Sequence, residues 1–319
     1  MRGRDQQKRR TLALASALML GVAGLLALDN AGATPAAAAP QGFLYRVTPP
    51  AGREGHALYL YGTLHVGRTS SLGLDEATTA LIAQCQHMAL ELDPHDSEGI
   101  RRALQAYAVY PPGDQLSAHV PQALDQQAMA VAAQVHFPAK SAEQLHPWML
   151  ANILSQLSLL KSGFDPRHGS EILLADAALK NHIDVSEVEG PEVQYKILGG
   201  APEDVQIDAL KRTLEQIDNG HIADQAGELL SAWEKSDVAA IDALLATLRD
   251  EPGLYPHFMT SELLEARNVV MADVAIRDMN QPGMTFFAVG ALHLFGPKGL
   301  IEELKRRGYT VTPLSRPAS

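Results

Sequence analysis

Two stretches decide how this chain reads: YLYGTLHVG, residues 59–67, and FFAVGALHLFG, residues 286–296. Each is an apolar run of strand character that stops at a glycine and presents a histidine three residues later. The motifs are Gly62-Thr63-Leu64-His65 and Gly290-Ala291-Leu292-His293. The same order surrounds both: strand, Gly-x-x-His, glycine-containing loop, Gly-Leu, helix, strand. The first unit runs from Leu58 to Asp93 and the second from Thr285 to Leu314. A strand–helix–strand unit of this length favours a parallel pair with its helix packed on the sheet. The expected class is therefore α/β, with pseudo-symmetric units forming a central sheet and long helical insertions between them. In open α/β sheets ligands bind beyond the carboxyl ends of the strands. A glycine there lets the backbone turn sharply, so both histidines are expected at the rim of one crevice.

Working outward, FLYRV (43–47) and ALYLYGTLH (57–65) read as two strands joined by a polar turn. HMALELD (87–93) is a further strand, and a mostly helical region follows from about 97 to 180. DVSEVEG (184–190) interrupts it as a short strand. Helices resume from about 201 to 279, with a break expected at EPGLYPHF, 251–258.

Carboxylates recur at the ends of these short strands. Glu91 is embedded between Leu90 and Leu92, where an unpaired charge is expensive. It therefore calls for a metal, a strong donor set or an arginine. Glu189 precedes Gly190 at a strand end and is placed to reach a crevice. In TSELLEARNVVMADVAIRDM (260–279), Thr260 or Ser261 is positioned to cap a helix start. Arg267 and Asn268 fall on its apolar face with Leu264, Met271 and Ala275. Such a pair needs a polar anchor, and Arg267 has the fork geometry to orient Glu91 or Glu189, or to steady an oxyanion.

In order, the motifs FLYRV, YLYGTLHVG, LELD, GSEILLADAALK, VSEVEGPEVQ, EARNVVMADVAI and FFAVGALHLFGPKGLIEELKRRGYTVTPL resemble the TraB/GumN family, which includes the Tiki-type metalloproteases. The resemblance covers the whole chain after its leader. It implies an erythromycin-esterase/ChaN-like (EreA/ChaN-like) fold and, in the Tiki branch, metal-dependent peptide cleavage. The two Gly-x-x-His motifs match the family hallmark at His65 and His293. Glu91, Glu189 and the Arg267-Asn268 pair match its other motif positions. The chain departs from the pattern at Glu171, where an aspartate is common, and before Glu189, where Glu187-Val188 stand without the family's glycine.

Composition narrows the function classes. The formal charge is −11, and the first 40 residues carry +3, which leaves −14 on the rest. An acidic body without a basic stripe repels phosphate backbones, so nucleic acid is not an expected partner. Residues 1–39 read as a basic leader, an apolar run and an Ala-rich linker, the form of an export signal. Residues 40–319 are then one domain, periplasmic or secreted, with no membrane contact after signal cleavage; an uncleaved anchor is the competing form. The single cysteine, Cys85, excludes an intrachain disulfide and reads as a small core residue.

The expected function is a metal-dependent hydrolase, a peptidase foremost, acting on a peptide or small-molecule substrate. His65, His293 and Glu91 would ligate a divalent ion. Glu91 or Glu189 would act as base, with Arg267 and Asn268 orienting groups. Nitrogen and oxygen ligands without thiolate suit Mn, Co, Fe or Zn, and no His-Glu-x-x-His motif is present. Two rivals are a metal-free ester hydrolase with a histidine base, and a non-catalytic protein that binds haem or a peptide signal.

Overall fold

The computed structural model describes residues 41–52, 54–68 and 73–314. The expected leader over 1–39 lies outside them. The chain opens with β1 (Phe43–Thr48), β2 (Leu58–Thr63) and β3 (Gly67–Arg68), followed by α1 (Glu76–Ile82) and β4 (His87–Leu90). The first insertion holds α2 (Ser97–Tyr107), α3 (Gln122–Gln134), α4 (Ala139–Ala142) and α5 (Pro147–Lys161). It continues through β5 (Phe164–Asp165), α6 (Ser170–Lys180) and β6 (Asp184–Glu187). The second insertion holds α7 (Pro191–Gly199), α8 (Glu203–Asp218), α9 (His221–Glu234), α10 (Val238–Asp250) and α11 (Leu254–Phe258). It ends in α12 (Ala266–Met279). The chain closes with β7 (Thr285–Gly290), α13 (Ala291–Leu294), α14 (Leu300–Arg306) and β8 (Thr310–Pro313).

The result is a mixed α/β fold whose central sheet has the strand order β6-β4-β7-β2-β1-β8. β7 lies parallel to both β2 and β4, and β1 is antiparallel to β2 and β8. The apolar runs of β2 and β7 are continuous because both faces of the sheet are covered, as buried parallel strands require. Leu58, Leu60, Phe287 and Val289 enter one core, while Tyr59, Tyr61, Phe286 and Ala288 enter the other. Helices α3, α5 and α8 close a third core around Leu124, Leu150, Leu154, Leu210 and Leu214. Cys85 is buried, with a thiol that burial pushes up to about 12. Among the described residues no helix is long and apolar enough to cross a membrane.

Three local expectations change. The two strand–helix–strand units do not form their own adjacent pairs; they interleave. β7 inserts between β2 and β4 of the first unit, and β2 with β1 lies between β7 and β8 of the second. Pairing β2 with β7 sets the two most apolar strands side by side at the sheet centre, where each is covered on both faces. The break at 251–258 is confined to Glu251-Pro252-Gly253, because Gly253 takes φ 142° and the helix restarts at Leu254. Thr260 and Ser261 therefore cap nothing. Their hydroxyls donate back to the carbonyls of Pro256 and His257, inside a π-helical turn, Met259–Glu265, that joins α11 to α12.

A titratable cluster pins the start of α8 to the first insertion. His119 faces Asp114 through Nε2 and Glu203 through Nδ1, each at 2.8 Å. Tyr110 stacks against the rings of both His119 and His146. The hydrogen bond that His119 donates to Asp114 raises the histidine's pKa, burial opposes the rise, and Glu203 adds to it. The imidazolium is the form the carboxylates hold. Its stabilisation is therefore fully present below the unfolded value of 6.5 and is lost as pH rises through the folded value. His119→Gln should thus lower the melting temperature at pH 6, by an amount worth up to about 1 kcal/mol. At pH 9 the difference from wild type should shrink toward zero. A deficit that is equal at both pH values would show that charge plays no part.

Candidate functional site

The β2–β7 pairing brings the Gly-x-x-His motifs together. Gly62 lies opposite Val289, and Thr63 opposite Gly290. The turns that follow pack on one another at Gly62, where a Cβ would sit 2.8 Å from Leu294 Cδ1 and 3.1 Å from Ala291 Cα. A glycine is needed here for close approach, since any side chain would wedge the turns apart. His65 and His293 thus leave the carboxyl ends of neighbouring strands, and both are buried.

His293 is held on its Nδ1 side. Asn268 Nδ2 donates to the Lys298 carbonyl at 2.8 Å, which directs Oδ1 toward His293 Nδ1 at 2.7 Å. An acceptor opposite Nδ1 assigns the proton to that nitrogen. Nε2 is left as a lone pair, fully buried and without a hydrogen-bond partner, 3.9 Å from Glu91 Oε1. Burial pulls this imidazole down to about 3, and Arg267 and His65 reinforce the fall against the opposing charge of Glu91. The ring is neutral across the physiological range.

His65 sits in a different environment. Glu171, in the first turn of α6, accepts a hydrogen bond from the Thr63 hydroxyl and lies 3.0 Å from His65 Nδ1. That contact has ion-pair distance without hydrogen-bond alignment, so Nδ1 makes no directed bond. Burial, the largest single influence, lowers the His65 pKa; Glu171 and the charge of Glu91 together outweigh it, and the net shift is upward. The turn is clamped to α6 by Ser170, which accepts from the Leu64 N–H at 2.7 Å and gives its own N–H to the Leu64 carbonyl. Gly169 makes the clamp possible, because a Cβ there would lie 2.6 Å from the His65 carbonyl oxygen.

Glu91 is the first residue beyond β4. Its Oε1 accepts from Gln194 Nε2 at 2.7 Å and from Arg267 Nη2, and its Oε2 accepts from the Gly290 N–H at 2.9 Å. Burial would raise its pKa, but Arg267, His293, His65 and the Gly290 amide together hold it at about 2. Arg267 bridges this carboxylate to Glu189, donating to Glu189 Oε2 from Nε at 2.8 Å and also from Nη2. Its Nη1 reaches the Leu263 carbonyl in the π-helical turn at 3.1 Å. Burial dominates at Glu189 and pushes its pKa upward against Arg267. Two carboxylates on one guanidinium are thus driven in opposite directions.

The structure therefore groups Glu91, Glu189 and Arg267 by direct contact, and Asn268 with His293. His65 joins through charge coupling to Glu91 and His293. Gln194 was not singled out in the sequence, since a glutamine one turn into a helix carries no signal of its own. Among the described residues no three His, Cys, Asp or Glu side chains are grouped as a ready-made metal site. Arg267 sits against the carboxylate that would complete one. Two imidazole nitrogens, His293 Nε2 and His65 Nδ1, nonetheless lack a hydrogen-bond partner in the buried interior. His293, a neutral nitrogen donor backed by a hydrogen-bonded amide, fits a borderline divalent ion.

Comparisons with known proteins agree with the motif order. The chain is similar to the uncharacterized protein YbaP of Shigella flexneri, 24% identical over 260 residues that cover 81% of this chain and 90% of that protein. The YbaP protein of Escherichia coli (strain K12) matches with the same identity and coverage. No solved structure matches. The sequence profile described as the TraB/PrgY/gumN family matches residues 43–313, which contain both Gly-x-x-His turns and every residue of the site; the chain belongs to that family.

Proposed function

We propose that this protein is a hydrolase whose paired Gly-x-x-His site works with a divalent metal ion, with peptides as the foremost substrate class. The observation that carries the reading is the Lys298–Asn268–His293 relay, which leaves a buried, neutral Nε2 without a partner. A base with a pKa near 3 is poorly matched to proton abstraction at neutral pH. A metal ligand, in contrast, must stay unprotonated. His293 would hold the ion together with His65 and Glu91, and Mn, Co, Fe or Zn suit this donor set. When bound, the ion would supply a Lewis acid and lower the pKa of a bound water to about 7.

The chain's own residues do the rest. Asn268 keeps the proton on His293 Nδ1 and the ring in one orientation. Gln194 and the Gly290 amide hold Glu91 in place. Glu189, with its raised pKa, takes up the proton that the attacking water releases and returns it to the leaving group. Arg267 holds both carboxylates and offers fixed positive charge to a developing oxyanion. Burial excludes bulk water, which strengthens each of these interactions.

One observation favours a second reading, metal-free ester hydrolysis. Glu171 lies 3.0 Å from His65 Nδ1 and raises its pKa, which suits a histidine base. The two readings separate by metal analysis. Purified protein should carry about one equivalent of a transition metal, and a chelator should abolish cleavage of a peptide library, with recovery on adding metal back. Full ester cleavage by chelated, metal-free protein would instead support the histidine base.

A further inference from the structure

Beside the second Gly-x-x-His turn lies a cleft of about 810 Å³ that the site does not use. It opens between α10, α14 and the β1–β8 edge. Leu294 and Phe295, the two residues after His293, form part of its wall, and Leu245, Ile301 and Val311 add to its apolar lining. Its size falls within the range of small-molecule pockets, roughly 300–1,000 Å³. A cavity of about 20 Å³ shares Leu245, Arg249 and Phe295 with it and reaches Asn268.

The charged residues of the lining differ in their commitments. Asp242 accepts from the Gly296 N–H at 3.2 Å, and Lys305 pairs with Glu302 at 2.8 Å. Arg249 is exposed and has no ion pair or hydrogen bond among the described residues. An apolar cleft with one uncommitted guanidinium is complementary to a hydrocarbon body that ends in a carboxylate. An extended peptide fits less well. It would set a row of amide groups against Leu, Phe, Ile and Val side chains, at about 1–3 kcal/mol for each group left unmet.

We propose that this cleft binds a free hydrocarbon carboxylate of the medium-chain fatty-acid class, with its head on Arg249 and its chain against Phe295 and Ile301. The proposal stands apart from the hydrolytic reading, since neither Arg249 nor the cleft wall enters that chemistry. Dodecanoate, titrated calorimetrically into the purified protein below its micelle concentration, should bind one per chain with Kd of about 10–100 μM. Arg249→Gln, at an exposed position, should weaken it about tenfold or more, as expected for loss of a charge-assisted contact. Val238→Trp, at the exposed start of α10 and on the lining, should abolish binding while leaving the melting curve unchanged. Dodecyltrimethylammonium, with the same chain and the opposite charge, should bind at least tenfold more weakly. Absence of saturable binding by about 1 mM dodecanoate would overturn the proposal. So would equal affinity of Arg249→Gln and wild type, equal affinity for the two amphiphiles, or undiminished binding by Val238→Trp.

Discussion

Arg267→Met should destabilise the fold by about 3–5 kcal/mol, the cost typical of leaving buried charges without their partner. In a chain of this size that is a fall of about 6–20 °C in melting temperature. The effect is large because one guanidinium serves two carboxylates, Glu91 and Glu189, and all three side chains are almost wholly buried. Lysine does not replace it, since a single ammonium lacks the planar fork that reaches Glu91, Glu189 and the Leu263 carbonyl together. The loss should be recoverable without restoring any charge. Arg267→Met combined with Glu91→Gln and Glu189→Gln removes the stranded anions and should regain most of the stability, as replacing whole buried ion clusters does. Single Glu91→Gln should cost less than Arg267→Met, because Glu189 remains to hold the guanidinium. Chemical denaturation of the four proteins checks the series. A loss under about 1 kcal/mol for Arg267→Met would mean that water reaches the triad.

Much of this triad was legible before the structure, and the reason is local. Glu91 stands between leucines and Arg267 lies on an apolar helix face, so each announces a buried charge that needs a partner. Which partner each takes is a long-range fact, settled by the way β4, the 188–190 turn and α12 converge. The Gly-x-x-His turns were legible for a similar reason, since a glycine and a histidine at a strand end leave a local signature. The interleaving of the two units left none. Adjacent strand order depends on which apolar faces meet in three dimensions, and β2 could have paired with β4 on pattern alone. Ser170 and Gln194 were equally silent, and Glu171 stood out only as a departure from the family pattern. Their roles come from contacts with residues more than a hundred positions away, at Thr63, Leu64 and Glu91. The π-helical turn misled for the opposite reason: Thr260 and Ser261 have cap chemistry, but the chain had already begun its helix at Leu254.

The remaining large effect concerns His65 and His293 as a unit. If both nitrogens hold one ion with Glu91, then His65→Ala and His293→Ala should each bring metal content close to zero and abolish metal-dependent hydrolysis. The double variant should be no worse than either single one, because groups that act on one centre are strongly non-additive. Asn268 extends the test to the relay behind the ligand. Asn268→Leu removes the acceptor at His293 Nδ1 and the donor to the Lys298 carbonyl, so the ring loses both its tautomer and its orientation. Metal affinity should fall about 10–100-fold, as typical for loss of a hydrogen bond behind a ligating histidine. Asn268→Asp should behave differently. It keeps an acceptor for Nδ1 but cannot donate to Lys298, so it should retain more metal than Asn268→Leu. Titration with a metal-sensitive dye reads all five variants without any substrate. Stoichiometric metal on His293→Ala would remove this histidine from the ligand set and leave His65 and Glu91 as the ligands to test.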